Sequence, residues 1–118
     1  MILPVGPATR IFLAAGTTDL RKSFEGLSDL VSHTFAQDPL SGHLFVFVNR
    51  KKNRIKLLYA DGSGVWLCAK RLHGQGTFAW PKTTEPGALR ILAEELTLLL
   101  SGIDLEGTRA RKWWRQAV

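Results

Sequence analysis

Seven basic side chains and one acid lie between Arg50 and Arg71: Arg50, Lys51, Lys52, Arg54, Lys56, Lys70 and Arg71 against Asp61. Such a set does electrostatic chemistry. Ammonium groups and forked guanidinium groups donate hydrogen bonds to phosphate oxygens. They are poor material for general acid–base catalysis, which needs a tuned carboxylate or imidazole. Lysines on a hairpin edge also have a protective use, since they discourage edge-to-edge aggregation. The phosphate use is the expectation carried forward, and nucleic acid is the expected partner. Four more bases, Arg109, Arg111, Lys112 and Arg115, fall in the last ten residues around Trp113 and Trp114. Of these, Arg111, Lys112 and Arg115 are added to the nucleic-acid candidates. Trp113 and Trp114 are expected to contact a partner protein.

Other chemistries find less support. His33, His43 and His73 are not spaced as a metal or catalytic cluster, and Cys68 is the one cysteine. One cysteine cannot build a structural zinc site. A restriction-nuclease-like site wants an acid, then an acid-x-Lys on the next strand, but Lys70 follows Cys68-Ala69. Asp61 is explained by an Asp-Gly turn and Asp19 by a helix cap. Trp66 and Trp80 could stack on bases, but strand aromatics in a small domain more often build the core. The run Ser41 to Val48 half matches an RNA-recognition strand motif. His43 and Val48 fill its remaining aromatic positions, so it is set aside.

These residues need elements to hold them. Residues 10–14 read as a strand. Thr18 or Asp19 should cap a helix whose apolar positions are Leu20, Phe24, Leu27, Leu30, Val31 and Phe35. Pro39 ends it by biasing Asp38 away from helix. Strands are expected over 43–49, 54–60 and 65–71, with turns at 50–53 and 61–64. A loop of two or four residues at Asp61-Gly62 would put Ile55, Leu57 and Tyr59 on one face with Trp66 and Cys68. An odd loop would place Trp66 beside Lys56. The even loop is preferred because one face then becomes uniformly apolar, for the helix to cover, with Trp66 buried on it. Residues 78–80 could add an edge strand stopped by Pro81. Pro86 suits the first turn of a second helix running from Ala88 to Leu100. There Leu89, Leu92, Leu96, Leu99 and Ile103 repeat every three or four residues.

The motifs also resemble a family. Asp38-Pro39-x-Ser41-Gly42-x-Leu44-Phe45-Val46-Phe47, then 50–56, then Lys70-Arg71-Leu72 and Phe78-x-Trp80-Pro81 occur in order. Thr18-Asp19-Leu20-Arg21-Lys22 carries an Asp-x-Arg-Lys signature, and Leu99-Leu100-x-Gly102-Ile103 closes the series. Together they resemble the TnpB accessory protein (second open reading frame) of bacterial insertion-sequence-66-type transposons, over residues 11–105. His73 departs from the glutamate common there, and the spacing from Lys70 to Trp80 is about one residue long. The resemblance implies a protein that an insertion sequence needs to move. It also implies a separate transposase and other proteins of the same element as partners.

Composition sets the bounds. A chain of 118 residues with 45% apolar content makes one domain, 1–118, with a basic Trp-containing tail from about 106. Sixteen Lys and Arg against ten Asp and Glu give +6, and the clustering makes this a directed field. One cysteine fits a reducing compartment, and no apolar stretch reaches the ~20 residues of a membrane span. A cytoplasmic location and no membrane contact are expected. The expected fold is α+β: an antiparallel sheet of four to five strands packed by two helices. The expected function is accessory to transposition, contacting DNA or transposase without catalysis and without a cofactor. The alternatives are a protein–protein adaptor with no direct DNA contact, or a small metal-dependent nuclease using Asp19 or Asp61.

Overall fold

The computed structural model describes residues 6–102 and the strand at 115–116. Its strands are β1 (Ile11–Ala14), β2 (Leu44–Val48), β3 (Arg54–Ala60), β4 (Val65–Arg71), β5 (Ala88–Ile91) and β6 (Arg115–Gln116). Its helices are α1 (Phe24–His33) and α2 (Ala93–Leu100). The six strands form one sheet in the order β4-β3-β2-β1-β5-β6. The fold is α+β, as expected, but the sheet is mixed rather than purely antiparallel. β1 and β2 are parallel, in the register Ile11↔Leu44 to Leu13↔Val46. The cause is α1, which carries the chain back between them, as a crossover must between parallel neighbours.

The sheet is covered on both faces, and strand alternation decides which side chain goes where. On one face Phe12, Phe45, Phe47 and Leu58 meet Leu27, Val31 and Phe35 from α1 and its end. Phe12 stacks on Phe45 with centroids 5.5 Å apart, and Phe35 on Phe47 at 5.6 Å. On the other face Ile11, Leu13, Val46, Ile55 and Leu57 meet Leu96 and Leu99 of α2, together with Phe78 and Trp80.

Several sequence expectations change here. The loop after Ala60 has four residues, and Tyr59 pairs with Trp66, so the even register holds. The cover does not: α1 lies over the Leu58 face, while α2 and residues 78–80 cover Ile55 and Leu57. Trp66 is not buried but 54% exposed, because β4 is the outermost strand and Trp66 lies outside both core clusters. Residues 78–80 form no strand. Phe78 and Trp80 instead plug the core, with the Trp80 indole donating to the Ala14 carbonyl at 2.9 Å.

The helix expected from Pro86 is split. Residues 88–91 pair antiparallel with β1, Leu13 opposite Leu89 and Ile11 opposite Ile91. Only residues 93–100 are helical. β1 has an edge to fill, and Leu89 and Ile91 alternate correctly to fill it. The helical spacing of Leu89 and Leu92 was coincidental, and Leu92 ends exposed at the junction. Asp19 does not cap α1 either. The helix begins at Phe24, five residues beyond Asp19, with Ser23 in the N-cap position. Ile103 lies outside the described residues.

Candidate nucleic-acid interface

β1 and β2 point their C-terminal ends the same way, and an open groove of about 1110 Å³ lies beyond them. Crevices at the C-terminal ends of parallel strands are a recurrent place for ligands in open sheets. Three chain segments wall this one: residues 17–21 after β1, the β2–β3 turn with the start of β3, and the end of β4. The 17–21 segment is tied down where Thr18 N donates to the Val48 carbonyl at 2.8 Å.

Asn49 builds the basic turn. Its Oδ1 accepts from the backbone N–H of Asn53 at 3.1 Å and of Arg54 at 3.0 Å. Its Nδ2 donates to Asn53 Oδ1 at 2.8 Å. The tight turn places Lys52 in the left-handed region at φ 58°, which a non-glycine residue rarely adopts. Arg50 and Lys51 are exposed at its tip and line the groove.

Of the sequence candidates, Arg50, Lys51, Arg54, Lys56 and Arg71 come together there. Arg54, Lys56 and Arg71 share the α1 face by strand alternation, and Arg54 stands directly opposite Arg71. Like charges directly opposite across strands are destabilising, so this pair favours an anion between or beside them. Lys56 donates to the Lys22 carbonyl at 3.3 Å, which uses one of its three N–H donors. Lys70 borders the groove but projects to the other face, where its ammonium donates to the Leu100 carbonyl at 2.6 Å near the end of α2. Lys52 does not line the groove and is half-buried in the turn. Arg111, Lys112, Trp113 and Trp114 lie outside the described residues. Arg115 lies on β6, paired through its backbone with Arg90 on the far side of the sheet from β4.

Sequence reasoning missed Arg21. Its guanidinium holds Asp19 through Nε at 3.0 and 3.2 Å and Nη2 at 2.8 Å, at the groove wall. These hydrogen bonds hold the Asp19 carboxyl well below the usual carboxylate range and push the Arg21 guanidinium up. The Asp-x-Arg spacing was a usable signal, since an aspartate side chain readily bonds the backbone two residues on. Arg21 N does donate to Asp19 Oδ1, at 3.0 Å. Facing arginines were also legible, because the register that pairs Tyr59 with Trp66 pairs Arg54 with Arg71.

The opposite end of the sheet carries a different feature. Asp61 Oδ1 accepts from the N–H groups of Ser63 and Gly64, both at 3.0 Å, as a turn aspartate should. Its Oδ2 accepts from the Trp66 indole at 2.8 Å. The indole bond, then the Ser63 bonds, lower the Asp61 carboxyl below its ordinary value. Among the described residues no group of three or more His, Cys, Asp or Glu converges to hold a metal ion.

Comparison with known proteins agrees with the motif order. The chain is 42% identical over 103 residues to the uncharacterized protein y4hO of Sinorhizobium fredii (strain NBRC 101917 / NGR234), covering 87% of this chain and 88% of that one. It is 37% identical over 102 residues to y4jC of the same strain, covering 85% and 86%. No solved structure matches. No helix among the described residues is long and apolar enough to cross a membrane. The model of the IS66 Orf2-like proteins matches residues 9–110, and the chain therefore belongs to the IS66 Orf2-like family, tied to insertion sequences of that type.

Proposed function

We propose that this protein is an accessory factor of insertion-sequence transposition that contacts the phosphate backbone of DNA through the groove, and that it does not itself catalyse strand transfer. Family membership supports the transposition role. The observation that carries DNA contact is the convergence of Arg50 and Lys51 from the β2–β3 turn with Arg54 of β3 and Arg71 of β4, Arg54 facing Arg71. Among the described residues no aromatic side chain lines this groove, which suits phosphates rather than stacked bases. Such binding is weak and nearly independent of sequence, at dissociation constants on the order of 10⁻⁴ to 10⁻⁶ M. The transposase of the same element is the expected protein partner. Trp113 and Trp114 remain the sequence-based candidates for that contact, and Arg111, Lys112 and Arg115 for added DNA contact.

Fluorescence anisotropy on a labelled duplex over a salt series tests the site. Replacing Arg50, Arg54 and Arg71 together by Ala should weaken binding and flatten the slope of log K against log salt, by about 0.9 per lost phosphate contact. Lys82→Ala, outside the groove, should leave both unchanged. An unaltered slope in the triple variant, folded by circular dichroism, would remove the groove from this role.

A further inference from the structure

β4 is the outer strand of the sheet and leaves one edge without a strand neighbour among the described residues. It is seven residues long, with neither proline nor bulge, and carries two exposed large apolar side chains, Trp66 and Leu67. Most edges are blunted by charge, proline or a bulge. Here the charges, Lys70 and Arg71, stand only at one end.

The backbone sets which pairings this edge can accept. Leu72 N donates inward to the Asn53 carbonyl, and the Gly64 carbonyl accepts inward from Asp61 N. Hydrogen-bonding direction alternates along a strand. The N–H groups of Val65, Leu67, Ala69 and Arg71 therefore point outward. A second copy of the same strand, run antiparallel, matches outward groups only when the paired numbers sum to an even value. The register centred on Cys68 uses all seven residues. It sets Val65 against Arg71 and Leu67 against Ala69 as hydrogen-bonded pairs. It sets Trp66 against Lys70 as a closer, non-hydrogen-bonded pair, where an indole and an ammonium-bearing stem attract. No two like charges face each other.

We infer that β4 is a self-pairing edge, and that two copies of this chain associate antiparallel through residues 65–71. The charge pattern of the strand selects a second copy, because its basic end meets the apolar, indole-bearing end of its twin. Asp61 holds the indole in place beforehand, which reduces the ordering cost of association. Directly opposed residues in an antiparallel pair share a face. The α1 faces of both copies therefore lie on one side of a continuous sheet, with the two basic grooves at its opposite ends. Self-pairing does not depend on what the grooves bind.

Sedimentation equilibrium of the full chain without DNA tests the association. The mass should rise with concentration from 13.1 kDa towards twice that value. Ala69→Pro removes an outward N–H and leaves pairing to β3 intact, so it should hold the chain at the monomer mass; Trp66→Ala should raise the dimer dissociation constant at least about tenfold. A cysteine pair tests the register without relying on proline. On a Cys68→Ser background, a mixture of Leu67→Cys chains and Ala69→Cys chains should form the mixed disulfide faster than either chain pairs with itself. If Ala69→Pro fails to fold, the cysteine pair decides. A monomer at every concentration would overturn the proposal. So would a dimer untouched by folded Ala69→Pro, or crosslinking with no preference for the mixed pair.

Discussion

The indoles of Trp66 and Trp80 separate two uses of one residue type. Trp80 is 4% exposed and bonded to the Ala14 carbonyl, whereas Trp66 is 54% exposed and bonded to Asp61. Trp80→Ala should therefore cost about 3–5 kcal/mol in urea unfolding, as truncating a buried aromatic does. Trp66→Ala should cost less than half as much. Equal costs would mean that Trp66 is covered in solution. His43 provides a second measurable residue. Its Nδ1 accepts from Arg10 N at 2.9 Å, which requires the neutral ring at that nitrogen. Burial first, then Arg10 and Arg90, push its pKa below the ordinary 6.5. A lowered pKa means that the unfolded chain takes up the proton first. The stabilisation is therefore full above about pH 6.5 and is lost as pH falls towards the folded value. Urea midpoints should drop between about pH 7.5 and about pH 5.5 in the wild type, and less in His43→Gln, whose amide oxygen can accept without titrating. Equal drops in the two proteins would remove His43 from the pH dependence.

Elements obey local patterns until a neighbour's free edge outbids them. The three strands of the basic meander were legible from alternation and turn chemistry, and the Asp61-Gly62-Ser63-Gly64 loop set their register. Residues 88–91 were not legible, because Leu89 and Ile91 fit a helix face as well as a strand face. The open edge of β1, which no local window contains, decided between them. Parallel pairing of β1 with β2 was likewise a property of the crossover rather than of either strand. The basic set was legible as a list, but which members share a face depended on register: Arg71 joined Arg54 while Lys70 went to α2. The start of α2 offers a test of what ends β5. Glu95 is 1% exposed, and its Oε1 accepts from Leu92 N at 2.7 Å, half of a capping box since leucine has no acceptor to return. Glu95→Ala would leave that part-buried N–H unpaired and should cost about 1–3 kcal/mol in thermal or urea unfolding. Glu94→Ala, on the exposed side of the same turn, should fall within about 0.5 kcal/mol of the wild type. A neutral Glu95→Ala would show that packing alone starts the helix.

On the scale of the whole molecule, the placement of acids bears on whether this chain is a nuclease. Two-metal phosphoryl transfer needs carboxylates that converge on ions about 3.5–4 Å apart. Asp19 and Asp61 are the acids at the ends of elements that the sequence left as candidates. Asp19 lies beyond β1 at the groove, and Asp61 closes the far end of β3. Seven residues of strand separate those ends, about 20 Å at the usual rise. They cannot share a metal. Asp19 is also engaged, since both its oxygens accept from Arg21, and the groove around it is basic. A cation entering there would be repelled by Arg50, Arg54 and Arg71, which line the same groove. Purified protein with magnesium or manganese should therefore leave supercoiled plasmid uncut while still retarding it at low salt. Asp61→Asn should support transposition of its element about as well as the wild type. Asp19→Asn should bind duplex DNA at least as tightly as the wild type, because it removes the groove's own counter-charge and frees the Arg21 fork for phosphate. Metal-dependent cleavage that co-purifies with the wild-type chain and disappears in Asp19→Asn would overturn the accessory reading. Weaker DNA binding by Asp19→Asn would show instead that Asp19 serves the groove by holding Arg21 in position.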